Sequence, residues 1–244
     1  MPTYEHSPMF ALLVEAPVEL TPLYAVLAGL HQAMSGKPVG TCVISCHQIS
    51  GALHHLGFEA EPIAACATLY RTTGTFTEVS EVGVWKRPPI LRLDGTTTGH
   101  MVVWTPSFAQ LIDPTLVQDP TLYALAARDP VYSIPVSVEV STDRVEVLRT
   151  RPVVALDERL HASWLLLPEW TEVMNTVLDG PEGTAATLGG LVLAADALVA
   201  LRHLGHERDL TQLSELYPQL GALLAGRRQL PPLPAQVPPE LLHD

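Results

Sequence analysis

Basic residues are scarce in this chain. Its 244 residues include 14 Lys and Arg against 26 Asp and Glu, which gives a formal net charge of −12 at pH 7. A protein that binds a nucleic-acid backbone or an anionic membrane surface needs a stripe of Lys and Arg facing the phosphates. The sequence has no such stripe, which argues against both kinds of partner.

Long apolar runs are the second scarcity. We find no run that approaches the ~20 residues needed to span a bilayer, so we expect no membrane-spanning helix. The N-terminus carries an apolar patch from Met9 to Val14, but Glu5 precedes it and no basic segment does. This arrangement is not typical of a signal peptide.

Cysteines are few, and several cofactor motifs are missing. Cys42, Cys46 and Cys66 form an odd, sparse set that does not suit a disulfide framework, and a reducing, cytoplasmic location is the simplest interpretation. The chain contains no Walker pattern, no Gly-x-Gly-x-x-Gly loop and no His-Glu-x-x-His pair. We therefore predict neither a metal nor an organic cofactor.

Apolar periodicity and turn residues divide the chain into helices, then strands, then helices. Helices are predicted over 18–35 and 41–56, with Gly57 as a left-handed cap for the second. Strand patterns follow over 59–72, 77–85, 89–94, 99–105 and 109–113, then a short helix over 119–128 and a hairpin of 131–140 with 144–149. Helical patterns resume over 157–178, 185–204 and 208–225.

This order of elements predicts an α+β fold, with the helix that begins near Cys42 packed on a mostly antiparallel sheet. We divide the chain into a core over 1–155, a helical extension over 156–228 packed on the same domain, and a tail over 229–244. The tail is rich in proline, which is typical of an extended or disordered segment.

Three residues in the order Cys, His, Asp carry the functional prediction. Cys42 follows Gly40-Thr41 in the first turn of a predicted helix, where Thr41 as N-cap and the free N–H groups would stabilise a thiolate. His100 begins one predicted strand and Asp113 ends the next. An antiparallel hairpin brings such positions side by side, so the sequence predicts a nucleophile, its base and the carboxylate that orients the base.

Each of these residues also has an ordinary structural interpretation. An isolated cysteine is usually a buried core residue, and we assign that role to Cys46, one turn deeper than Cys42, and to Cys66 within a strand. A His after a glycine can be a turn residue, and Asp-Pro commonly ends a strand. The combination of all three, in this order, favours the catalytic interpretation.

The segment from Gly40 to Ala60, together with His100 and Asp113-Pro114-Thr115, resembles the transglutaminase-like group of papain-fold cysteine enzymes. In that family a Gly-x-Cys opens a helix that leads into a Gly-apolar-x-Ala strand start, followed by a strand-initial His and an Asp-Pro-Thr. Arylamine N-acetyltransferases and several bacterial peptidases share this triad and fold. The resemblance covers roughly residues 35–118.

The chain departs from the family pattern in three places. The family's His-Ala-Trp-x-Glu is His-Met-Val-Val-Trp over 100–104, Glu61 stands where an Arg often follows the strand start, and no Arg-Gly-Gly precedes Cys42. The last departure counts against the acetyltransferase branch. The resemblance implies a papain-like core and acyl transfer through a thioester on Cys42, and it does not identify the substrate.

An oxyanion hole would combine the backbone N–H of Cys42 with a second donor, for which Gln32 and Gln118 are candidates. Trp85 and Trp104 are candidates for the walls of a substrate cleft. Taken singly, such glutamines are more often solvated and such aromatic residues more often belong to the core.

The sequence favours a hydrolase that acts on a peptide, amide or ester. Transfer of the acyl group to an amine, as in a transglutaminase or acyltransferase, is the first alternative. The second is a catalytically inactive papain-fold domain that serves as a scaffold or binding module, with the Pro-rich tail as a recognition peptide. The oligomeric state stays open.

Metal binding is a further alternative. Cys42, Cys46 and His47 lie close together in the chain, with His54 and His55 downstream. A tetrahedral zinc site needs a second pair of ligands at a suitable spacing, and none is present. The metal interpretation is therefore weaker than the triad.

Overall fold

Seven antiparallel strands and eight α-helices make up the described part of the chain, which is an α+β fold as predicted. The computed structural model describes residues 8–34, 42–90, 97–116, 119, 122, 135–206 and 209–232. The predicted helix over 119–128 and the start of the predicted hairpin, 131–134, fall largely or wholly outside these residues. So does most of the Pro-rich tail, from 233 onward.

Three helices precede the sheet, one lies within it and four follow it. The helices are α1 (Pro8–Glu15), α2 (Thr21–Met34), α3 (Cys42–Leu56), α4 (Arg144–Arg149), α5 (Thr171–Asn175), α6 (Pro181–Leu204), α7 (Thr211–Leu216) and α8 (Pro218–Leu224). The strands are β1 (Glu61–Thr73), β2 (Phe76–Val82), β3 (His100–Thr105), β4 (Gln110–Asp113), β5 (Val136–Glu139), β6 (Val153–Ala155) and β7 (Leu160–Leu166).

The long strand β1 is the centre of the sheet, whose order is β5-β4-β3-β1-β7-β6. Along one edge β1 pairs first with β3, over 61–65, and then with β2, over 67–73. Along its other edge it pairs with β7 over 65–71. Because β1 bonds three strands, it fixes the start of β3 relative to β7.

The two faces of the sheet are buried in two separate cores. Side chains alternate between the faces of a strand, and the face with Ala64, Cys66 and Met101 belongs to the core that includes α3. The opposite face, with Ala65 and Val102, belongs to a second core. Helices α2, α3 and α6 therefore cover one face, and the second core is built mainly from the strands together with Val147 of α4.

Helix α3 begins and ends where the sequence predicts. Gly57 follows it with φ of +96°, and the N–H of Phe58 donates to the carbonyl of Leu53 at 2.9 Å. This is the Schellman arrangement that satisfies the last carbonyls of a helix and favours glycine. The cap turns the chain directly into β1.

Helix α6 corrects the expectation that no apolar run reaches membrane-spanning length. Its 24 residues satisfy the length and composition test for such a helix, and half of its most apolar window is buried inside the fold. It packs against α3 and α2. The backbones approach closely at Gly51 and Gly190, where a Cβ on Gly190 would lie 3.3 Å from the Cα of Gly51.

The predicted helix over 157–178 is wrong in its first half. Leu160–Leu166 forms β7 and pairs with both β1 and β6, whereas the second half is helical, with short 3-10 turns on either side of α5. The segment lacks the β-branched residues that mark strands, so its strand state comes from pairing with β1 rather than from local preference. A boundary at 156 would separate the paired strands β6 and β7.

Three smaller predictions also need correction. The segment 144–149 is helix α4, not a strand, because the carboxylate of Asp143 caps it by accepting from the N–H of Glu146 at 2.8 Å. The predicted helix over 208–225 breaks at Tyr217, before Pro218. Pro89 and Ile90, from the predicted strand over 89–94, are not in a strand.

We expect Gly190→Leu to destabilise the protein by about 1–3 kcal/mol, because the added side chain would force α3 away from α6. Urea unfolding measures this change. Val192→Leu, at a position 42% exposed on the same helix, is the matched control and should leave stability close to that of the wild type. Equal stability of the two variants would contradict the close packing of these helices.

Candidate active site

His100 and Asp113 meet at one end of the sheet. His100 is the first residue of β3 and Asp113 the last of β4, and Nε2 of His100 donates to Oδ2 of Asp113 at 2.6 Å. The strands are antiparallel with Val103 opposite Ile112, which puts both side chains on the same face. The structure thus brings together the two residues that the predicted hairpin places side by side.

The carboxylate of Asp113 accepts four hydrogen bonds. Oδ2 accepts from His100 and from the indole Nε1 of Trp164 at 2.8 Å. Oδ1 accepts from the backbone N–H groups of Thr115 at 3.2 Å and Leu116 at 2.9 Å. Asp113 is only 1% exposed, so these donors replace water and hold the carboxylate in one orientation.

Cys42 is the first residue of α3, and its side chain lies close enough to His100 to contribute to the raised pKa of the imidazole. Because Nε2 of His100 faces Asp113, Nδ1 is the ring nitrogen that remains for the sulfur. Cys42 also lies in the first turn of its helix, where backbone N–H groups have no partner within the helix. Thr41, the predicted N-cap, lies outside the described residues.

The exposed fraction of the three residues decreases from the cysteine through the histidine to the aspartate. Cys42 is 9% exposed, His100 4% and Asp113 1%. Cys42 belongs to the core that includes α3, whereas His100 and Asp113 lie on the opposite face of the sheet. The site therefore forms where the N-terminus of α3 meets the end of the sheet, between the two cores.

Electrostatics favour a protonated His100. Burial by itself would lower the pKa of His100, but the charge of Asp113, its hydrogen bond, and the interactions with Cys42 outweigh burial and raise that pKa from 6.5 to about 10. A histidine that a buried carboxylate holds in its charged form is suited to stabilise a negative charge on a neighbouring group.

The other two cysteines are not activated. Cys46 donates its S–H to the carbonyl of Met101 at 3.3 Å, and burial, reinforced by the nearby charges of Cys42 and Asp113, raises its pKa well above the usual value. Burial is also the main reason that the pKa of Cys66 is raised to about 11. Both residues are buried, in agreement with their assignment to the core.

Gly83 and Trp164 adjoin the site, and neither is among the residues that the sequence predicts for it. Gly83 has a left-handed φ of +93°, and a Cβ there would lie 2.8 Å from the Cβ of His100. Only glycine fits this position without moving the imidazole. Trp164 lies in β7, within the segment that the sequence predicts to be helical. The signal for a strand there is the alternation of Leu160, Ala162 and Trp164 with the residues between them.

The structure describes three of the four predicted substrate and oxyanion residues. Gln32 is exposed on α2, and Gln118 lies outside the described residues. Trp85 is 41% exposed, and its indole donates to Glu81. Trp104 is a correction: it is buried in the second core and donates to the carbonyl of Ser141 at 3.1 Å, so it is not a cleft wall.

The residues of the metal hypothesis do not form a ligand cluster. His47 hydrogen-bonds with Asn175 at 2.9 Å, and His54 is exposed. Within the described ranges, no group of three or more His, Cys, Asp or Glu side chains is arranged to hold a metal ion. The thiol of Cys46 points to Met101 instead of sharing a site with Cys42.

A cavity of about 820 Å³ lies on another side of α3. His47, His54 and His55 line it from α3, Leu178 lines it from the segment that leads into α6, and Thr184 lines it from the first turn of α6. Burial and the neighbouring His54 lower the pKa of His55. The lining includes none of the triad residues, so this cavity is separate from the candidate active site.

Comparison with models of protein families, with curated proteins and with solved structures finds no match. The function is therefore inferred from the residues and geometry of this chain.

The raised pKa of His100 predicts a loss of stability with rising pH. Protonated His100 stabilises the fold fully below pH 6.5, and this contribution disappears as the pH rises toward 10. Between 6.5 and 9.0 we expect wild type to lose on the order of 1–3 kcal/mol more than His100→Gln. Urea unfolding across this range measures the difference.

Cys66 begins to ionise in the unfolded chain as the pH approaches its ordinary pKa of 9.0, but this change is common to wild type and His100→Gln and cancels in the comparison. Parallel pH profiles for wild type and His100→Gln would contradict the charged state assigned to His100.

Proposed function

We propose that this protein is a cysteine-dependent acyl-transfer enzyme of the transglutaminase-like, papain-fold kind, and that it acts as a hydrolase on a peptide, amide or ester. The observation that carries the proposal is the buried hydrogen bond between His100 and Asp113, with Cys42 beside His100 at the start of α3. An α3 that packs its N-terminus against an antiparallel sheet supports the papain-like assignment.

The arrangement suits a two-step reaction. The sulfur of Cys42 attacks the substrate carbonyl, and His100, having taken the thiol proton, gives it to the departing amine or alkoxide, which leaves a thioester on Cys42. His100 then removes a proton from water, the resulting hydroxide attacks the thioester carbonyl, and the proton returns to the sulfur as the acid leaves. Asp113 stays ionised throughout and keeps Nε2 of His100 protonated.

The charge that develops on the carbonyl oxygen needs donors. The backbone N–H of Cys42, in the first turn of α3, lies where its own nucleophile acts and is the first donor we propose. Gln118 stays a candidate for the second donor. Gln32 is a weaker candidate, since it is exposed on α2.

Three features support this enzyme over a scaffold. A buried aspartate and histidine are costly to a fold unless their charges are paired and fully hydrogen-bonded. Asp113 has four donors, and the ordinary packing role belongs to Cys46 and Cys66 rather than to Cys42.

The cysteines form no disulfide, which supports a reducing, cytoplasmic location as part of the same proposal.

The alkylation rate of each cysteine by iodoacetamide tests the nucleophile. Peptide mass spectrometry over about pH 5–9, which brackets the reference values for His and Cys, resolves the three sites. At the acidic end of this range we expect Cys42 to be labelled faster than the other two cysteines. We expect the His100→Gln substitution to slow the labelling of Cys42 by about tenfold or more. Cys46 and Cys66 are internal controls, and labelling of Cys42 no faster than theirs would contradict the proposal.

A covalent intermediate tests the reaction itself. Incubation with activated esters should add one acyl group to Cys42, which intact-mass measurement detects. The Cys42→Ser variant has no thiol at this position and should form no thioester there. Adding a primary amine then separates the alternatives, because a hydrolase releases the acid and an acyltransferase releases the amide. Absence of any acyl adduct alongside fast alkylation would favour the scaffold.

A further inference from the structure

We propose that Trp164 is a positioning residue of the triad, whose indole N–H holds the Asp113 carboxylate in the orientation that fixes His100. This inference rests on the proposed function. Nε1 of Trp164 donates to Oδ2 of Asp113 at 2.8 Å, and the same oxygen accepts from His100 at 2.6 Å. The two donors therefore share one acceptor atom.

Trp164 reaches this oxygen from a distant strand. It lies on β7 opposite Ala67 of β1, whereas Asp113 ends β4, and β1 and β3 lie between them. Directly opposed residues share a face of a sheet, so Trp164, Ala67 and, by alternation, Ala65 lie on the face of His100, which is opposite Ala65. The small side chains of these two alanines leave space for the indole to extend toward β4.

Each oxygen of the carboxylate has its own anchor. Oδ1 is held by the backbone of Thr115 and Leu116. Oδ2 is held by His100 and Trp164, and Trp164 is 1% exposed, so water does not replace its bond. An indole only donates, which fixes the sense of this contact. Without the hydrogen bond from Trp164, the only side-chain donor described for Oδ2 would be the imidazole of His100, which Oδ2 itself orients.

Trp164→Phe tests the proposal, because it removes the N–H and keeps an aromatic ring. Trp104→Phe is the matched control. Trp104 lies in the same core and is also buried, and its indole donates to the carbonyl of Ser141, outside the triad. Each variant loses one indole hydrogen bond from a buried tryptophan, so Trp104→Phe measures the effect of such a loss away from Asp113.

Two measurements separate positioning from stability. In Trp164→Phe we expect Cys42 to be alkylated about tenfold more slowly near neutral pH, the loss typical of a hydrogen bond to a charged group. We also expect the acid limb of its pH profile to move upward by about one pH unit. The imidazole resonances of His100, assigned by comparison with His100→Gln, should shift in Trp164→Phe and not in Trp104→Phe.

Identical alkylation profiles and His100 resonances in the two variants would overturn the proposal. If His100→Gln leaves the labelling of Cys42 unchanged, the proposed function fails, and the His100 resonances alone decide the role of Trp164. Should Trp164→Phe not fold, the indole resonance of Trp164 in wild type and in Asp113→Asn replaces it. A shift supports the contact, and an unchanged resonance rejects it.

Discussion

A buried carboxylate must recover from the protein the hydrogen bonds that water would have given it. Asp113 recovers four, and they come from different parts of the fold: His100 on β3, Trp164 on β7, and the backbone of the turn after β4. The need to satisfy one charge thus fixes the relative positions of three strands. It also fixes the imidazole, since His100 is buried and faces this charge.

Cys42 is brought to this pair by packing of a different kind. Helix α3 lies between α6 and the sheet, and its close approach to α6 depends on Gly51 and Gly190. Cys46 anchors the same helix to β3 through the carbonyl of Met101, one residue after His100. A shift of α3 along the sheet would separate Cys42 from His100, so the stability of the helix layer and the geometry of the site are coupled.

Local signals predict the hairpin of His100 and Asp113 and the end of α3 at Gly57, because strand alternation and helix caps act over a few residues. They indicate β7 only weakly, through the alternation of Leu160, Ala162 and Trp164, because the segment has no β-branched residues and its strand is fixed by pairing with β1. The contact of Trp164 with Asp113 depends on that pairing and joins residues far apart in the chain. For the same reason the burial of Trp104 in the second core, rather than in a cleft, follows from the sheet and not from its neighbours in sequence.

The most direct test of the thiolate–imidazolium pair is the ultraviolet absorbance of thiolate in wild type and Cys42→Ser, titrated from acidic to neutral pH. Cys46 and Cys66 stay protonated there, because burial raises the pKa of each. At neutral pH we expect wild type to show the absorbance of one thiolate per chain and the variant to show none. Coincident titrations of the two proteins would contradict it, because Cys42 would then carry no charge for His100 to balance.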